Sequence, residues 1–197
     1  MAKGPRYRKS FRRRAQGKTD YQKRLKLLKS RKLRVVIRAS NNHIIIQIIQ
    51  SKLGGDKVLV SAHSKELSLN YGWIANTGNI PASYLTGYLA GLRAKNKNID
   101  MGVFDLGVFY HRNRILAACK GIIDAGMNIP YRKEFFPESL EEKVKGFHIE
   151  NYAKLLKRED PEKYEQIFSN YLKKMKIDPL KINQLFLNTL KTIESKA

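Results

Sequence analysis

Apolar residues in the first third of the chain fall into three short runs that predict neighbouring β-strands. The runs cover residues 34–40, 43–50 and 57–63, and short segments rich in Ser, Asn and Gly separate them. Connections this short require neighbouring strands to be antiparallel. In the second run, isoleucines occupy both sets of alternating positions. We therefore expect this strand to be central in its sheet and covered on both faces.

Helical spacing of apolar residues begins after the third strand. A loop rich in glycine and aromatic residues, 70–80, leads into a helix predicted over 81–97, with proline suitably placed in its first turn. Gly87 within this helix predicts close approach of a neighbouring backbone. A fourth strand over 99–106 and a second helix that ends at Gly126 follow. The pattern predicts an α/β fold with a mixed sheet: three antiparallel strands, then helix, strand and helix.

Beyond Pro137 the apolar residues keep helical spacing to the end of the chain. Asp160 and Asp178 each precede a proline, so each places a capping carboxylate before a proline in the first turn of a helix. The apolar stripes of the two helices that follow are more typical of core packing than of a groove for a partner.

The stretch 19–33 predicts a helix that joins the N-terminus to the body, with Thr19 or Asp20 as its cap. One face of this helix is apolar: Tyr21, Leu25 and Leu28. We expect that face to lie on the body while the cations point outward. The chain then divides into a basic N-terminal arm and helix (1–33), an α/β core domain (34–137) and a helical C-terminal extension (138–197).

Positive charge is concentrated in the first 34 residues, which hold 15 of the 39 Lys and Arg residues against a single acid, Asp20. Like charge at this density keeps a segment unfolded unless a polyanion neutralises it, so we expect an extended arm that binds phosphates. Tyr7, Phe11 and Tyr21 alternate with the cations. Flat rings among guanidinium groups suit unstacked bases, which favours RNA over DNA. A solvated basic tail and a general DNA-binding protein remain the alternatives.

Other destinations for a basic N-terminus fit the sequence less well. Gly4, Pro5 and Gly17 interrupt any long amphipathic helix that could lie on a membrane surface. A mitochondrial transit peptide remains a minor alternative. The apolar runs are too short to span a membrane. The single cysteine, Cys119, fits a reducing cytoplasm.

Signatures of catalysis or metal binding are scarce in the sequence. The glycines match neither a phosphate-binding loop nor a dinucleotide fingerprint, and the four histidines lack the spacing of metal ligands. Asp100 and Asp105 are five residues apart on the predicted strand, so they point to opposite faces. A shared metal site of a two-metal nuclease is therefore disfavoured, and local hydrogen bonds are the preferred interpretation. We expect no enzymatic activity, no cofactor, no metal and no small-molecule substrate.

Two loops offer further RNA-binding candidates. The first is the 70–80 loop, which gathers rings and amides suited to stacking and to contacts with 2′-hydroxyls. Its candidates are Tyr71, Trp73, Asn76, Thr77 and Asn79. The equally weighted alternative is that Trp73 closes the edge of the core. The second, smaller candidate is the basic group after the fourth strand, formed by His111, Arg112 and Arg114.

Several strings in the chain resemble one ribosomal family. Among them are Gly4-Pro5-Arg6-Tyr7-Arg8, Phe11-Arg12-Arg13-Arg14, Gly17-Lys18-Thr19-Asp20-Tyr21, His43-Ile44-Ile45-Ile46-Gln47 and Tyr71-Gly72-Trp73. Together with later strings they follow in the same order over about residues 4–153. So many ordered matches do not arise by chance. The chain resembles the archaeal/eukaryotic type of the 5S-rRNA-binding large-subunit protein, number eighteen in the universal naming.

The resemblance implies a structural constituent of the large ribosomal subunit in the cytoplasm. Such a protein binds 5S rRNA and helps attach it to the large-subunit rRNA in the central protuberance, beside neighbouring large-subunit ribosomal proteins. It also implies a ribonuclease-H-like translational-component body without nuclease activity. Two positions depart from the family pattern: the 106–114 loop is shorter, and Ile80 replaces a frequent capping Thr.

The RNA-binding candidates combine the family's arm, the start of the following helix and the 70–80 loop. They are Arg6, Tyr7, Arg8, Lys9, Phe11, Arg12, Arg13, Arg14, Lys18, Tyr21, Lys23, Arg24, Arg31, Lys32, Tyr71, Trp73, Asn76, Thr77 and Asn79.

Overall fold

The computed structural model of the chain describes residues 4–108 and 112–196, with the backbone alone at Lys133. Its first element is a single helical turn, α1 (Arg12–Ala15). The Ala15 N–H donates to the Phe11 carbonyl at 2.9 Å, and the Lys18 N–H donates to Arg13. The prediction of an extended arm is therefore wrong over this turn, because local backbone hydrogen bonds form there.

Four strands make one mixed sheet in the order β3-β2-β1-β4. They are β1 (Arg34–Ala39), β2 (Ile44–Gln50), β3 (Lys57–His63) and β4 (Val103–Asp105). The first three are antiparallel neighbours, and β4 runs parallel to β1. The predicted α/β class, mixed sheet and antiparallel trio are confirmed. The fourth strand is shorter than the predicted 99–106, because its pairing with β1 stops at Asp105.

The main helical layer covers one face of the sheet. On β2 the side chains of Ile44, Ile46 and Ile48 are buried in the core, whereas Ile45 on the opposite face is 39% exposed. The central position predicted for β2 is confirmed, and the prediction that both of its faces are covered holds at Ile49, which is 8% exposed, but is wrong at Ile45. We call the side that carries Ile45 the open face. The strand register also places Arg38 there, opposite Ile45.

The covering layer is built from α3 (Ser64–Asn70), α4 (Ile80–Lys95) and α5 (Asn113–Asp124). A Cβ added at Gly87 of α4 would lie 2.2 Å from a carbonyl oxygen of α5, and one at Gly121 of α5 would lie 2.3 Å from a carbonyl oxygen of α4. The predicted close approach of backbones at Gly87 is confirmed. The Asn79 side chain accepts the Ala82 N–H at 2.8 Å and caps α4, so the helix has a cap although Ile80 cannot supply one.

The C-terminal part is helical, as predicted. It comprises α6 (Leu140–Val144), α7 (Phe147–Glu159), α8 (Pro161–Ile167), a π-helical segment (Asn170–Met175), a 3-10 turn (Pro179–Lys181) and α9 (Ile182–Lys196). The side chains of Asp160 and Asp178 accept backbone N–H groups at the starts of α8 and the 3-10 turn, which confirms both caps.

Two apolar clusters hold the C-terminal helices. Phe186 and Ile193 of α9 join the main core beneath the sheet. A smaller cluster between α7 and α8 consists of Ala153, Leu156, Tyr164 and Phe168. The predicted core-packing role of the stripes is confirmed at these positions, although Ile167 is 46% exposed. The main core therefore receives side chains from both sides of position 137, and the division into units stays a prediction.

Candidate nucleic-acid interface

The arm presents its cations and rings to solvent. Every residue from 4 to 18 is exposed, and Tyr7 and Phe11 are 52% and 71% exposed. The Phe11 ring packs against Tyr21 with centroids 5.3 Å apart, and the Arg13 Nε–H donates to the Thr19 hydroxyl at 2.9 Å. These contacts fold the arm back toward α2 (Tyr21–Lys29). The arm therefore offers a dense, accessible set of groups suited to phosphates and unstacked bases.

Helix α2 starts as predicted and ends earlier than predicted. The Asp20 carboxylate accepts the N–H groups of Gln22 and Lys23 at 3.0 and 3.1 Å, which confirms Asp20 as the cap. The helix stops at Lys29 because the backbone at Arg31 turns to φ = 54°, outside the helical region.

The expected burial of the apolar face of α2 is wrong. Tyr21 and Leu25 are 36% and 55% exposed, and no residue of the helix is buried. The helix is instead tied to the body by an ion pair, with Arg24 Nη2 2.9 Å from Asp56 Oδ2. Lys23, Arg31 and Lys32 are exposed, as predicted for cations that face outward.

A chain of five charged residues connects α2 to the open face of the sheet. Arg34 on β1 is 2% exposed and lies between two carboxylates, 2.6 Å from Asp56 and 2.8 Å from Asp105. Arg38, two positions further along the same face, contacts the other oxygen of Asp105 at 3.2 Å. The order is therefore Arg24, Asp56, Arg34, Asp105, Arg38, and we refer to this chain as the charge ladder.

Arginine contacts keep both carboxylates of the charge ladder ionised. Burial alone would raise the pKa of Asp105, but the guanidinium groups of Arg38 and Arg34 outweigh it and hold that pKa below its usual value. Desolvation likewise opposes ionisation of Asp56, and hydrogen bonds from Arg24 and Arg34 again lower the pKa. Both acids are therefore occupied by protein cations and contribute little repulsion toward an incoming phosphate.

A cavity of about 460 Å³ lies between the arm, the start of α2 and the end of the sheet at β1 and β4. Five basic residues and two acids contribute to its wall: Arg13, Lys18, Lys23, Arg24, Arg38, Asp20 and Asp105. The surplus of positive charge suits an anion. The structure thus brings five cations from three separate segments of the chain to one place.

The rings of the 70–80 loop do not take part in this surface. Trp73 is 0% exposed, and its Nε1–H donates to the Asn76 carbonyl at 3.2 Å. Tyr71 is 7% exposed. Stacking on a base needs an accessible ring face, so the prediction that Trp73 and Tyr71 contact RNA is corrected. The alternative, that Trp73 closes the edge of the core, describes the structure.

The polar side chains of the same loop make bonds within the protein. Thr77 Oγ1 donates to the Asn42 carbonyl at 2.9 Å, and the Asn76 carboxamide oxygen accepts the Gly78 N–H at 2.8 Å. Asn79 is the cap of α4. Asn76 alone among the three is exposed. These residues fix the loop against the turn between β1 and β2, and their RNA contacts stay a prediction.

In the second candidate loop, the basic group after β4, one arginine bonds within the protein and another is exposed. Arg114 Nη1 donates to the carbonyls of Ser40, Asn41 and Gly78 at 2.8–3.2 Å, so it braces two turns of the body. Arg112 is exposed, and His111 lies outside the described residues.

Of the two acids considered for a nuclease site, Asp105 has structural partners, because it belongs to the charge ladder. Asp124, at the end of α5, accepts the Tyr84 hydroxyl at 2.9 Å. Over residues 4–108 and 112–196, no group of three or more His, Cys, Asp or Glu side chains is placed to hold a metal ion. In the same part of the chain, no helix combines the length and apolar character needed to cross a membrane.

Sequence reasoning missed the charge ladder, although part of its signal was present. Arg34 and Arg38 are four residues apart on one strand, so they point to the same face. Two arginines on an otherwise apolar strand indicate a surface with a polar requirement. Their partners Asp56 and Asp105 come from distant parts of the chain, and only the sheet register brings them together.

Comparisons with known proteins agree with the resemblance drawn from the sequence. The family model described as "Ribosomal large subunit proteins 60S L5, and 50S L18" matches residues 5–105. The large ribosomal subunit protein uL18 of Korarchaeum cryptofilum is 45% identical over 197 residues, which cover 99% of this chain and 98% of that protein. The large ribosomal subunit protein uL18 of Aeropyrum pernix is 44% identical over 176 residues, covering 87% of this chain and 80% of that protein. The chain therefore belongs to the uL18 family of ribosomal proteins, a class of structural, non-enzymatic constituents of the large subunit.

Proposed function

We propose that this protein binds 5S rRNA and helps attach it to the large-subunit rRNA in the central protuberance. Family membership supports the ribosomal setting, and the arm supports RNA as the direct partner. The observation that carries the proposal is the arm itself: residues 4–18 are all exposed and contain seven Lys or Arg and no acid. Charge of this density is stabilised by a polyanion at close range.

The arm and α2 supply two kinds of contact in this proposal. The cations bind backbone phosphates without regard to sequence. Tyr7, Phe11 and Tyr21, all exposed, offer faces on which unstacked bases can stack, at about 1–3 kcal/mol per base. Arg31 and Lys32 extend the basic surface beyond the end of α2. The 70–80 loop serves mainly as a support, and its remaining candidate contacts are exposed Asn76 and half-buried Thr77 and Asn79.

The wider setting follows from the same proposal. The protein would work in the cytoplasm on the large subunit, with neighbouring large-subunit ribosomal proteins beside it. We further infer a ribonuclease-H-like translational-component body. Three antiparallel strands, a helical crossover and a fourth strand parallel to the first support that inference. We keep the units 1–33, 34–137 and 138–197 as the proposed organisation.

Deletion of residues 1–18 tests the role of the arm. This segment contains eight Lys or Arg residues, and each phosphate contact contributes a slope of about 0.7–0.9 to the fall of log affinity with log salt. We expect the truncated protein to bind 5S rRNA much more weakly and with a flatter salt dependence. Filter binding over a salt series measures both quantities.

Two controls sharpen the experiment. A full-length variant with Tyr7→Ala and Phe11→Ala keeps the charge, so its salt dependence should match the wild type while its affinity falls. Transfer RNA and random duplex DNA serve as competitors at near-physiological salt. Unchanged binding after truncation would show that the arm is not the docking element, and equal affinity for duplex DNA would contradict 5S rRNA as the partner.

A further inference from the structure

The cavity between the arm and the sheet contains one arginine that the protein holds in place before any ligand arrives. Arg38 Nη1 donates to the carbonyls of Ile37 and Asp105 at 2.8 and 2.7 Å, and Nη2 donates to the Asp105 carboxylate at 3.2 Å. A guanidinium has five N–H groups, and these bonds use three of them. The Arg38 side chain is nevertheless 50% exposed. Its remaining N–H groups are available to a ligand.

Backbone geometry preserves this arrangement. Gly107 lies against the Arg38 guanidinium, and a Cβ added there would be 3.2 Å from Cζ and 3.3 Å from Nη1. Gly107 has φ = 64°, a conformation that favours glycine, and its N–H donates to the Asp105 carboxylate at 3.1 Å. The turn after β4 thus fits closely beside the arginine without displacing it.

The arm completes the cavity from the other side. Lys18 and Arg13 line it from the arm, and Lys23 and Arg24 line it from α2. The acids in its wall already have partners, because Asp105 pairs with two arginines and Asp20 caps α2. Five basic and two acidic residues line the cavity, so the charge facing it is net positive.

We propose that this cavity binds one phosphodiester group of the rRNA backbone, with Arg38 as its fixed donor and Lys18 as a mobile one. This inference rests on the proposed function, since it names how the same surface holds RNA. A guanidinium fork matches the oxygens of a phosphate, and a fork held in place loses little entropy on binding. The volume lies within the range of about 300–1,000 Å³ for ligand sites, which leaves room for the riboses on either side of the phosphate.

The test compares Arg38→Gln with Arg158→Gln in the full-length protein. Both variants lose one positive charge, but Arg158 is exposed on α7 and does not line the cavity. We expect Arg38→Gln to weaken 5S rRNA binding about tenfold, as for a lost hydrogen bond to a charged group. It should also reduce the salt slope by about 0.7–0.9, which corresponds to one phosphate. Arg158→Gln should change the affinity by about twofold or less, because distant charges are screened.

A second variant keeps the proposal falsifiable if Arg38→Gln perturbs folding. Lys18 is exposed and lies in the arm, so Lys18→Gln leaves the core intact, and fluorescence of buried Trp73 checks both proteins. If Arg38 and Lys18 hold the same phosphate, the double variant loses less affinity than the product of the two single losses. Losses that multiply fully, or equal effects of Arg38→Gln and Arg158→Gln, overturn the proposal.

Two further experiments distinguish free phosphate from RNA phosphate, and distinguish failure of the cavity proposal from failure of the proposed function. Inorganic phosphate at constant ionic strength should not displace the RNA. Inorganic phosphate that binds the wild type but not Arg38→Gln, and leaves the affinity for RNA unchanged, would assign the cavity to free phosphate and overturn the RNA assignment. The same comparison is run on transfer RNA. A wild type with no preference for 5S rRNA contradicts the proposed function, whereas the contrast between Arg38→Gln and Arg158→Gln on either RNA still decides the cavity.

Discussion

Replacing Arg34 by methionine should destabilise the body, because this buried arginine joins two carboxylates. Its guanidinium is 2.8 Å from Asp105 and 2.6 Å from Asp56, and its side chain is 2% exposed. Removing one partner of a buried ion pair costs about 3–5 kcal/mol. Arg38 would still neutralise Asp105, and Arg24 would still neutralise Asp56, so we expect the lower end of that range.

The loss of Arg34 should shift the urea unfolding midpoint by a measurable amount. The Asp56 side chain is 27% exposed, so its pair with Arg34 contributes no more than about 1 kcal/mol. Most of the loss comes from the pair with Asp105, and the total is about 3 kcal/mol. With a slope of about 2 kcal/mol per molar urea, the unfolding midpoint should fall by about 1.5 M. Trp73 is the single tryptophan and is 0% exposed, so its fluorescence reports the transition.

A double-mutant cycle decides whether the ion pair itself is responsible. Arg34→Met and Asp105→Asn should show a coupling free energy of at least about 1 kcal/mol, because each removes the partner of the other. Arg158→Met makes the same chemical change at an exposed arginine and should cost no more than about 0.5 kcal/mol. An unchanged midpoint for Arg34→Met, or additive free energies in the cycle, would refute the reasoning.

Two other predictions concern helix packing and pH. Gly121→Ala should lower the free energy of unfolding by about 1–3 kcal/mol despite the better helix propensity of alanine, because its Cβ would lie 2.3 Å from the Tyr84 carbonyl. The control for the urea midpoint is Gly54→Ala, since a Cβ at Gly54 has nothing within 4 Å. Equal midpoints for the two variants would contradict the prediction. Burial and the nearby His43 lower the pKa of His63 in the folded state below its usual 6.5. The unfolded chain therefore binds the proton more readily, and stability should fall as the pH drops below about 6.5. Protonation also removes the acceptor that caps α3 through the Lys65 N–H. His63→Asn keeps a capping side chain and should reduce the difference between the urea midpoints measured at neutral and at mildly acidic pH. If this difference is as large in the variant as in the wild type, His63 is not the group responsible.

The first three strands could be predicted closely because their signals are local. Alternation fixes the strands, and short turns fix their antiparallel order. The extent of β4 could not be predicted in the same way, since its pairing with β1 depends on a helical crossover. Ile45 shows another limit. An isoleucine on either face of β2 has the same sequence signal, but only the arrangement of whole layers determines which face the helices cover.

The candidate RNA-binding surface also contains parts with local sequence signals and parts that depend on distant residues. The arm was predictable, because its charge density and exposed rings are properties of a contiguous segment. Trp73 was not, since a tryptophan in a glycine-rich loop suits both base stacking and core packing until the position of α4 is known. Arg38 illustrates the converse case. Its role depends on Asp105 and Gly107, which are near it in space but distant in the chain.

The two sources of positive charge differ in how they can act on RNA. Arm cations are exposed and adapt to whatever phosphates are near, so they supply affinity and salt dependence without fixing a position. Arg38 is anchored by Asp105, and the charge ladder anchors Asp105 in turn through Arg34. A phosphate bound at Arg38 is therefore positioned relative to the sheet and not only to the arm. If the cavity holds that phosphate, the body determines where the RNA strand lies and the arm determines how tightly it is held. For that reason the salt slope and the position of the RNA should respond to different substitutions.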